Sequence, residues 1–596
     1  MNFNFLKDFR PELIRSLRSY NKEKFTADLM AGIIVGIVAL PLAIAFGISS
    51  GVTPERGIIT AVVGGFLISL LGGSTVQIGG PTGAFIVIVH GIVEQYGFEG
   101  LAIATVLAGI MLILMGALKL GTVIKFVPYP IVVGFTSGIA VTIFFTQIND
   151  FFGLATPKLP ADFLEKWAVY SQYFHTIDPW TTLVAVASVL IIFVTPKISQ
   201  KIPGALVAIV LMTVVVYLMK TYGGIHSIET IGDRFAINAD LPEAKHIAFN
   251  LESVRLLFPS AFTIAMLGAI ESLLSATVAD GVTGHRHNSN MELVAQGVAN
   301  IVTPFFGGIP ATGAIARTMT NINNGGRTPV AGVVHAVVLL FILLFLGDLT
   351  GYIPMACLAG VLVVVAYNMS EWRTFLSLTK QSKSTLAVLL TTFLLTVIFD
   401  LTIAIEVGLL LAVFAFIKRV TESTEISLIT DKIDMSKEIE SHADNSNDEV
   451  LYLPKGVEVY EIVGPFFFGI ANKFDEKMRT IGDRPAVRII RMRKVPFIDA
   501  TGLNNLETLC RNSRKEKIAV ILSGVKENVH ESLKKSAIPQ LIGEENICSN
   551  IHLAVERAKV LTEMKGKKDL RKDAKKDPTK EKKSRRNEEH ELNEKN

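Results

Sequence analysis

One acidic residue stands inside a long apolar stretch of the sequence. Glu271 lies within Leu267–Ser275, and Ser275 follows it by four positions. On a helix the two side chains share a face one turn apart and form a small polar patch. A carboxylate inside a membrane requires a partner, water or a proton. We therefore interpret Glu271 and Ser275 as candidate ion-coupling residues; the alternative is a protonated glutamate bonded to a nearby backbone carbonyl.

Two interrupted stretches could bind an anion. Residues 77–85 and 305–317 each contain paired glycines and a proline, followed by small residues. Such a break favours the start of a short helix, whose free N–H groups and dipole attract a negative ligand. Ordinary glycine-rich helix packing is the alternative. The predicted anion-binding residues are Thr82, Gly83, Ala84, Gly313, Ala314, Ile315, Ala316 and Arg317. Arg317 could attract the anion, neutralise Glu271 or anchor its helix at the cytoplasmic side.

The composition requires a membrane around these stretches. The chain has 596 residues, 50% of them hydrophobic and 19% charged, with a mean hydropathy of +0.44. We predict about fourteen membrane segments between Leu29 and Ile417 and no cleaved signal peptide. The segments centre near residues 39, 66, 88, 111, 139, 187, 212, 266, 297, 318, 338, 361, 392 and 410, with short, broken ones at 88 and 318.

A repeat is visible in the positions of these motifs. Thr82 and Thr312 begin the same tripeptide 230 positions apart, and Gly51-Val52-Thr53 recurs at Gly281-Val282-Thr283 with the same offset. The repeat unit then contains seven segments, and an odd number inverts the second copy in the membrane. Paired breaks in two such halves are the sequence feature that best indicates a transporter binding site.

The distribution of charge predicts the orientation. Basic residues precede the first segment and recur on one side of the predicted topology, as at Arg286, Arg327 and Arg419, while acids offset them on the other. By the positive-inside rule both termini are cytoplasmic, in the inner (plasma) membrane. The net charge of +4 and the absence of a DNA-binding motif argue against a nucleic-acid partner.

The sequence offers no motif for an enzyme or a cofactor. It contains no P-loop, no Gly-x-Ser-x-Gly and no His-Glu-x-x-His. Cys357, Cys510 and Cys548 are widely separated and lack neighbours at metal-binding spacing, so we expect packing roles for them. Coupling to an ion gradient is the energy source that remains.

We expect five parts along the chain. They are a cytoplasmic N-terminal segment (1–27), a membrane domain (28–420), a linker (421–449), a small α/β domain (450–562) and a disordered, charged tail (563–596). In the α/β domain we predict strands at 457–463, 486–490 and 518–522 and helices near 472–478 and 502–512. Asp499 is expected to cap the second helix, and a regulatory phosphate on Thr501 is an open alternative.

These motifs resemble those of the sulfate permease (SulP) family of anion transporters over most of the chain. The resemblance rests on Gly80–Ala84, Ala269–Leu274, Gly307–Arg317, Tyr367–Ser370 and a C-terminal domain similar to a STAS domain. It implies two inverted repeats of seven segments, a core made of segments one to four and eight to eleven, a gate made of the others, and a homodimer. It places the anion between the two half-helices and Arg317 beside it.

The resemblance also bears on coupling and substrate. Related bicarbonate transporters place a sodium-binding aspartate where this chain has Glu271, and the glutamate is more similar to that of proton-coupled bacterial members. Leu42 replaces a glutamine common in animal relatives. The expected function is secondary, proton-coupled transport of sulfate, bicarbonate or a C4-dicarboxylate; the alternatives are an anion-responsive sensor signalling through the STAS-like domain and an anion channel or exchanger.

Overall fold

The computed structural model describes residues 10–122, 128–157, 159–160, 163–198, 203–235, 247, 249–399, 401–430, 432–434, 450–470 and 485–576. The chain forms two compact units, Met1–Ala412 and Val413–Asn596, and each is described by itself.

The first unit is built of helices. In chain order they are α1 (Glu12–Leu17), α2 (Lys22–Ser49), α3 (Pro54–Ile59), α4 (Gly65–Leu71), α5 (Ile86–Ala117), α6 (Tyr129–Phe152), α7 (Phe163–Tyr173), α8 (Pro179–Ile198), α9 (Gly204–Gly223), α10 (Ile231–Arg234), α11 (Leu251–Thr283), α12 (Ser289–Val302), α13 (Ile315–Asn323), α14 (Val330–Thr350), α15 (Met355–Met369), α16 (Trp372–Thr379), α17 (Lys383–Ile398) and α18 (Leu401–Ser423). The last residues of α18 belong to the second unit.

The fourteen predicted segments are confirmed, because a helix covers each of their centres. A π-helical turn, Thr60–Gly64, joins α3 to α4 into one span. Helix α5 contains two segments, since Gly97 has a φ of +66° and breaks the helix between them. In the described part of the chain, nine helices are long and apolar enough to cross a membrane. Two shorter helices that lie between spans, α7 and α16, were not predicted.

The helices group into two bundles. Helices α11 and α12 pack against α5, and α14 packs against α2; we call this set the core bundle. Helices α15 and α17 pack against α6, and α8 packs against both α9 and α15; we call this set the gate bundle. Each bundle therefore combines segments from both halves of the sequence, as the repeat predicts.

Glycines allow the two halves to approach closely in the core bundle. A Cβ atom added to Gly109 of α5 would lie 2.6 Å from the carbonyl oxygen of Gly297 in α12, and a Cβ on Gly297 would lie 2.6 Å from the carbonyl oxygen of Gly109. Only residues without side chains permit this contact, which is typical of tightly crossed membrane helices.

The two interrupted stretches cross as a short pair of strands. Strand β1 (Gly79–Gly80) pairs antiparallel with β2 (Thr312–Gly313), and Gly79 lies opposite Gly313. The backbone N–H of Ala314 extends the pairing by donating to the carbonyl of Ile78 over 2.9 Å. Extended backbone inside a membrane requires such internal partners, because lipid supplies none.

The repeated tripeptides do not occupy equivalent places, although both stretches do break as predicted. Thr82 directly precedes the first helical turn, whereas Thr312 lies in β2, two residues before the helix cap Ala314. Likewise, Gly51 lies beyond the end of α2 with a φ of +77°, whereas Gly281 is inside α11. The two copies thus share their architecture while their local sequences have shifted by a few positions.

The second unit contains an α/β fold. Its strands are β3 (Glu425–Ile429), β4 (Lys432–Asp434), β5 (Val450–Tyr452), β6 (Val457–Val463), β7 (Val487–Lys494), β8 (Ala519–Ser523) and β9 (Ile547–Cys548), and its helices are α19 (Ala500–Lys515), α20 (Glu527–Lys534), α21 (Ile538–Ile542) and α22 (Ile551–Lys576). The main sheet has the order β3-β6-β7-β8-β9, in which only β3 is antiparallel to its neighbour.

The structure contains the three predicted strands and the second predicted helix of this domain. The Asp499 carboxylate caps α19 by accepting from the N–H of Gly502 over 2.7 Å. The helix predicted near 472–478 lies outside the described residues. The predicted linker, 421–449, includes β3, whose pairing with β6 gives it a place in the sheet. Helix α22 reaches Lys576, so the segment predicted to be a disordered tail begins as a helix.

One buried amide holds the backbone just before β2. The Asn300 side chain donates to the carbonyl of Ala311 over 2.8 Å and accepts from its N–H over 2.9 Å. Replacing Asn300 with alanine leaves both backbone groups buried without these partners, at about 1–3 kcal/mol for each. We predict that Asn300→Ala lowers the melting temperature of the detergent-solubilised protein by several degrees. The exposed Asn323→Ala is the control, and equal melting of the two variants would contradict the prediction.

Candidate functional site

The two half-helices begin beside the strand crossing. The first half-helix consists of a 3-10 turn, Gly83–Phe85, followed by the start of α5, and Thr82 occupies its cap position with extended backbone. The second half-helix is α13, with Ala314 at the cap. The antiparallel pairing of β1 and β2 brings these two starts together from opposite halves of the chain.

Among the described residues, the first N–H groups of both half-helices have no protein acceptor. Neither cap side chain accepts a hydrogen bond from its own helix. In the described part of the chain, the N–H groups of Gly83, Ala84, Ile315 and Ala316 also make no backbone hydrogen bond. Most helix starts satisfy such donors with a side chain or with water. Here they remain available to a ligand, and the dipoles of both helices favour an anion.

Access to the two helix starts differs. Gly83, Ala84 and Gly313 are buried, Ile315 is half-buried and Ala316 is exposed. The first turn of the second half-helix is therefore the part of the site that a solute can reach in this conformation.

The structure places Glu271 at the first helix start. Helix α11 carries it there, and the hydroxyl of Thr82 donates to its Oε2 over 2.8 Å. Glu271 is half-buried, and it interacts electrostatically with Arg317. The carboxyl group therefore lies at a helix start and is influenced by the positive charge of Arg317.

Ser275 lies elsewhere. Its side chain is 1% exposed, and its hydroxyl is 3.4 Å from the hydroxyl of Thr318. Thr318 in turn accepts from the backbone N–H of Ile78 over 3.1 Å, one residue before β1. Ser275 thus supports the strand crossing from behind, and of the two proposed ion-coupling residues Glu271 is the one at the helix starts.

Arg317 joins the two halves of the site. Its side chain is 2% exposed, and its guanidinium group donates to the carbonyls of Gly79, over 3.3 Å, and of Pro81. This burial contradicts the interpretation of Arg317 as a cytoplasmic-side anchor. The guanidinium group holds the backbone between β1 and the first half-helix, and it supplies positive charge behind both helix starts.

Sequence reasoning missed two further buried acids. Glu292 in α12 is 0% exposed and accepts from the N–H groups of Gly73 and Ser74 and from the amide of Gln296. Asp28 in α2 is also 0% exposed and accepts from three groups of Arg327 and Thr328 that precede α14. The search for acids within apolar segments that found Glu271 could have found both.

Hydrogen bonds attach the strand crossing to α11, one from the buried amide of Gln77 and one from Thr312 of β2. The Gln77 amide donates to the Ser272 hydroxyl over 2.9 Å, and Thr312 donates to the carbonyl of Gly268 over 2.9 Å. A Cβ atom on Gly313 would lie 1.6 Å from the Gln77 nitrogen, so this packing requires a glycine there. A polar residue directly before the Gly-Gly-Pro break is the signal that could have identified Gln77.

Comparisons with known proteins agree with this architecture. Residues 25–392 match the Sulfate permease family, and residues 450–558 match a STAS domain. The "Putative sulfate transporter YvdB" of Bacillus subtilis is 41% identical over 531 residues, which is 89% of this chain and 97% of that protein. The bicarbonate transporter BicA of Picosynechococcus sp. is 31% identical, over 85% of this chain and 90% of that protein.

Solved structures show the same fold. The chain superposes on a structure of SLC26A9 with a TM-score of 0.81 at 17% identity, covering 93% of each chain. It superposes on the transmembrane domain of a cyanobacterial BicA with a TM-score of 0.58 at 32% identity, covering 66% of this chain and 98% of that one. The fold and the crossed half-helices are those of a multi-pass membrane protein built from two inverted repeats and joined to a STAS domain. The chain belongs to the sulfate permease family.

The backbone at Gly80 leaves space for Arg317. Gly80 has a φ of +147°, and a Cβ atom there would lie 2.2 Å from the Arg317 Nη1 atom. We predict that Gly80→Ala displaces the guanidinium group and lowers both the melting temperature and the affinity for the transported anion. Gly91→Ala is the matched control, because a Cβ on Gly91 meets nothing within 4 Å. If both variants melt and bind as the unsubstituted protein does, the close packing at Gly80 is unimportant.

Proposed function

We propose that this protein is a secondary transporter that moves a small anion of the sulfate or bicarbonate class together with a proton, by alternating access. The observation that carries this proposal is the pair of helix starts at the crossing of β1 and β2, whose first N–H groups make no backbone hydrogen bond within the described residues. The names of the relatives support the anion, since YvdB is described as a sulfate transporter and BicA as a bicarbonate transporter. The anion lies between Thr82, Gly83 and Ala84 on one side and 313–316 on the other.

Arg317 acts on the site through its positive charge and not as a direct ligand. Its guanidinium group is committed to the carbonyls of Gly79 and Pro81. A cation held there stabilises an anion through its field rather than through a direct bond, and it fixes the position of the first helix start. The electrostatic attraction between an anion, the two helix dipoles and the fixed cation is stronger in a site with little water than it would be in solution.

We assign the coupling of the proton to Glu271 by comparison with the two fully buried acids, Glu292 and Asp28. Glu292 and Asp28 each accept four described hydrogen bonds, two of them from backbone N–H groups, and are therefore held as structural acids. The Glu271 carboxyl group accepts one described hydrogen bond, from Thr82. A carboxylate with so few partners inside a membrane is well placed to take up a proton. A neutral Glu271 also removes a negative charge from the neighbourhood of the anion.

We also propose a location and an oligomeric state for the protein. The protein lies in the cell inner (plasma) membrane with both termini in the cytoplasm, and it assembles as a homodimer. Its function is transport rather than catalysis, with no cofactor, and the proton is favoured over sodium because a glutamate occupies position 271.

Glu271→Gln tests the proton pathway. Glutamine retains the size and polarity of the side chain and cannot carry a proton. In proteoliposomes we predict that the variant loses at least tenfold in uptake of labelled sulfate or bicarbonate driven by an inward proton gradient, while equilibrium binding of the anion remains within a few-fold of the unsubstituted protein.

The control is Glu99→Gln, the same substitution at an exposed acid near the Gly97 break of α5. It should leave both uptake and binding unchanged. Accumulation of the anion by Glu271→Gln against its own gradient, with only a proton gradient supplied, would contradict the assignment.

A further inference from the structure

Apolar side chains from both bundles meet the start of the first half-helix. A Cβ atom added to Gly83 would lie 2.9 Å from the sulfur of Met369, 3.5 Å from Cδ1 of Ile143 and 3.5 Å from Cε1 of Phe46. Met369 and Ile143 belong to α15 and α6 of the gate bundle, and Phe46 belongs to α2 of the core bundle. A methyl group at position 83 would already be too close to the Met369 sulfur.

The backbone that follows Met369 is attached to α6. Met369 is the last residue of α15, and the Ser137 hydroxyl in α6 donates to the carbonyl of the next residue, Ser370, over 2.6 Å. The following residue, Glu371, has a φ of +39°, a backbone conformation that residues other than glycine rarely adopt. Its carboxylate accepts from the hydroxyl of Tyr129 over 3.4 Å. The end of α15 is thus tied to α6 at two points.

Met369 and Ile143 can make van der Waals contact with a bound anion, but they cannot donate a hydrogen bond to it. A thioether sulfur is at most a weak acceptor, and an isoleucine side chain has no polar atom. These side chains therefore limit the space in front of Gly83 without adding a donor there. A compact inorganic anion, whose oxygens all lie near the two helix starts, fits such a site. The second carboxylate of a dicarboxylate lies several carbon atoms away from the first. It would contact these apolar side chains and lose its hydration without gaining a hydrogen-bond partner.

We infer that Met369, supported by Ile143, determines the specificity of the anion site by restricting it to compact inorganic oxyanions and excluding extended C4-dicarboxylates. This inference rests on the proposed function, since it needs an anion between the half-helices. It also gives a role to the Tyr367–Ser370 motif, which is otherwise unconnected with the site.

The test is competition at equilibrium with the full chain in detergent. The labelled ligand is sulfate or bicarbonate. Unlabelled sulfate, bicarbonate and succinate are each added as competitors, and the measurement is made on the unsubstituted protein and on Met369→Ala. We expect succinate to compete with the unsubstituted protein at least tenfold more weakly than the inorganic anions. Met369→Ala should strengthen competition by succinate at least tenfold relative to competition by the inorganic anions.

A second pair of variants tests the contact itself. Gly83→Ala should weaken binding of the inorganic anion at least tenfold, because its methyl group meets the Met369 sulfur. The double variant Gly83→Ala, Met369→Ala removes the clash and should recover most of this loss. Leu376→Ala is the control for Met369→Ala, since Leu376 is 51% exposed on the nearby α16; it should leave the ranking of the anions unchanged.

The outcomes separate the two proposals. If the unsubstituted protein binds none of the anions, the proposed function fails and this inference fails with it. If it binds inorganic anions and succinate equally well, or if Met369→Ala leaves the ranking unchanged, the inference alone is overturned. Failure of the double variant to recover binding while it melts normally would likewise overturn it.

Discussion

The membrane unit depends on the hydrogen bonds between the Arg317 guanidinium group and the carbonyls of Gly79 and Pro81. Both halves of the chain leave regular helix at the same place, and each leaves backbone groups that lipid cannot satisfy. The β1–β2 pairing satisfies part of them, and Arg317 of the second half satisfies two carbonyls of the first. The same contact fixes a positive charge behind two helix starts, so one interaction both stabilises the crossing and makes it attractive to an anion.

The polar groups around the crossing fall into two kinds. Asn300, Gln77 and Glu292 have hydrogen bonds to backbone or to neighbouring side chains and keep the strands in register. The N–H groups at Gly83 and Ile315 have no such backbone partners. An N–H group without an acceptor costs free energy where water cannot reach it, as at the buried Gly83, and the anion proposed to bind there would supply the acceptor. Apart from Arg317, the groups that hold the crossing together are therefore different from those proposed to bind the anion.

The sequence identified much of this because breaks and charges stand out against an apolar background. The fourteen segments, the two interrupted stretches and Glu271 were each visible from composition or spacing. The sequence alone could not show which residues are the hydrogen-bond partners of these polar side chains. The contact of Arg317 with Pro81 and the position of Ser275 against Thr318 depend on how separate segments of the chain pack together. The tripeptide repeat was informative about the fold, yet its residues sit at different points relative to the two helix starts.

The most direct test of the account is an anomalous difference map from crystals of the full chain grown with selenate, a heavier analogue of sulfate, from a preparation that binds selenate in solution. The account predicts a selenium peak between the two half-helix starts, with its oxygens within hydrogen-bonding distance of the N–H groups of Gly83 and Ile315 or Ala316. A single ordered selenate elsewhere in the membrane unit, with no peak at the crossing, would contradict it.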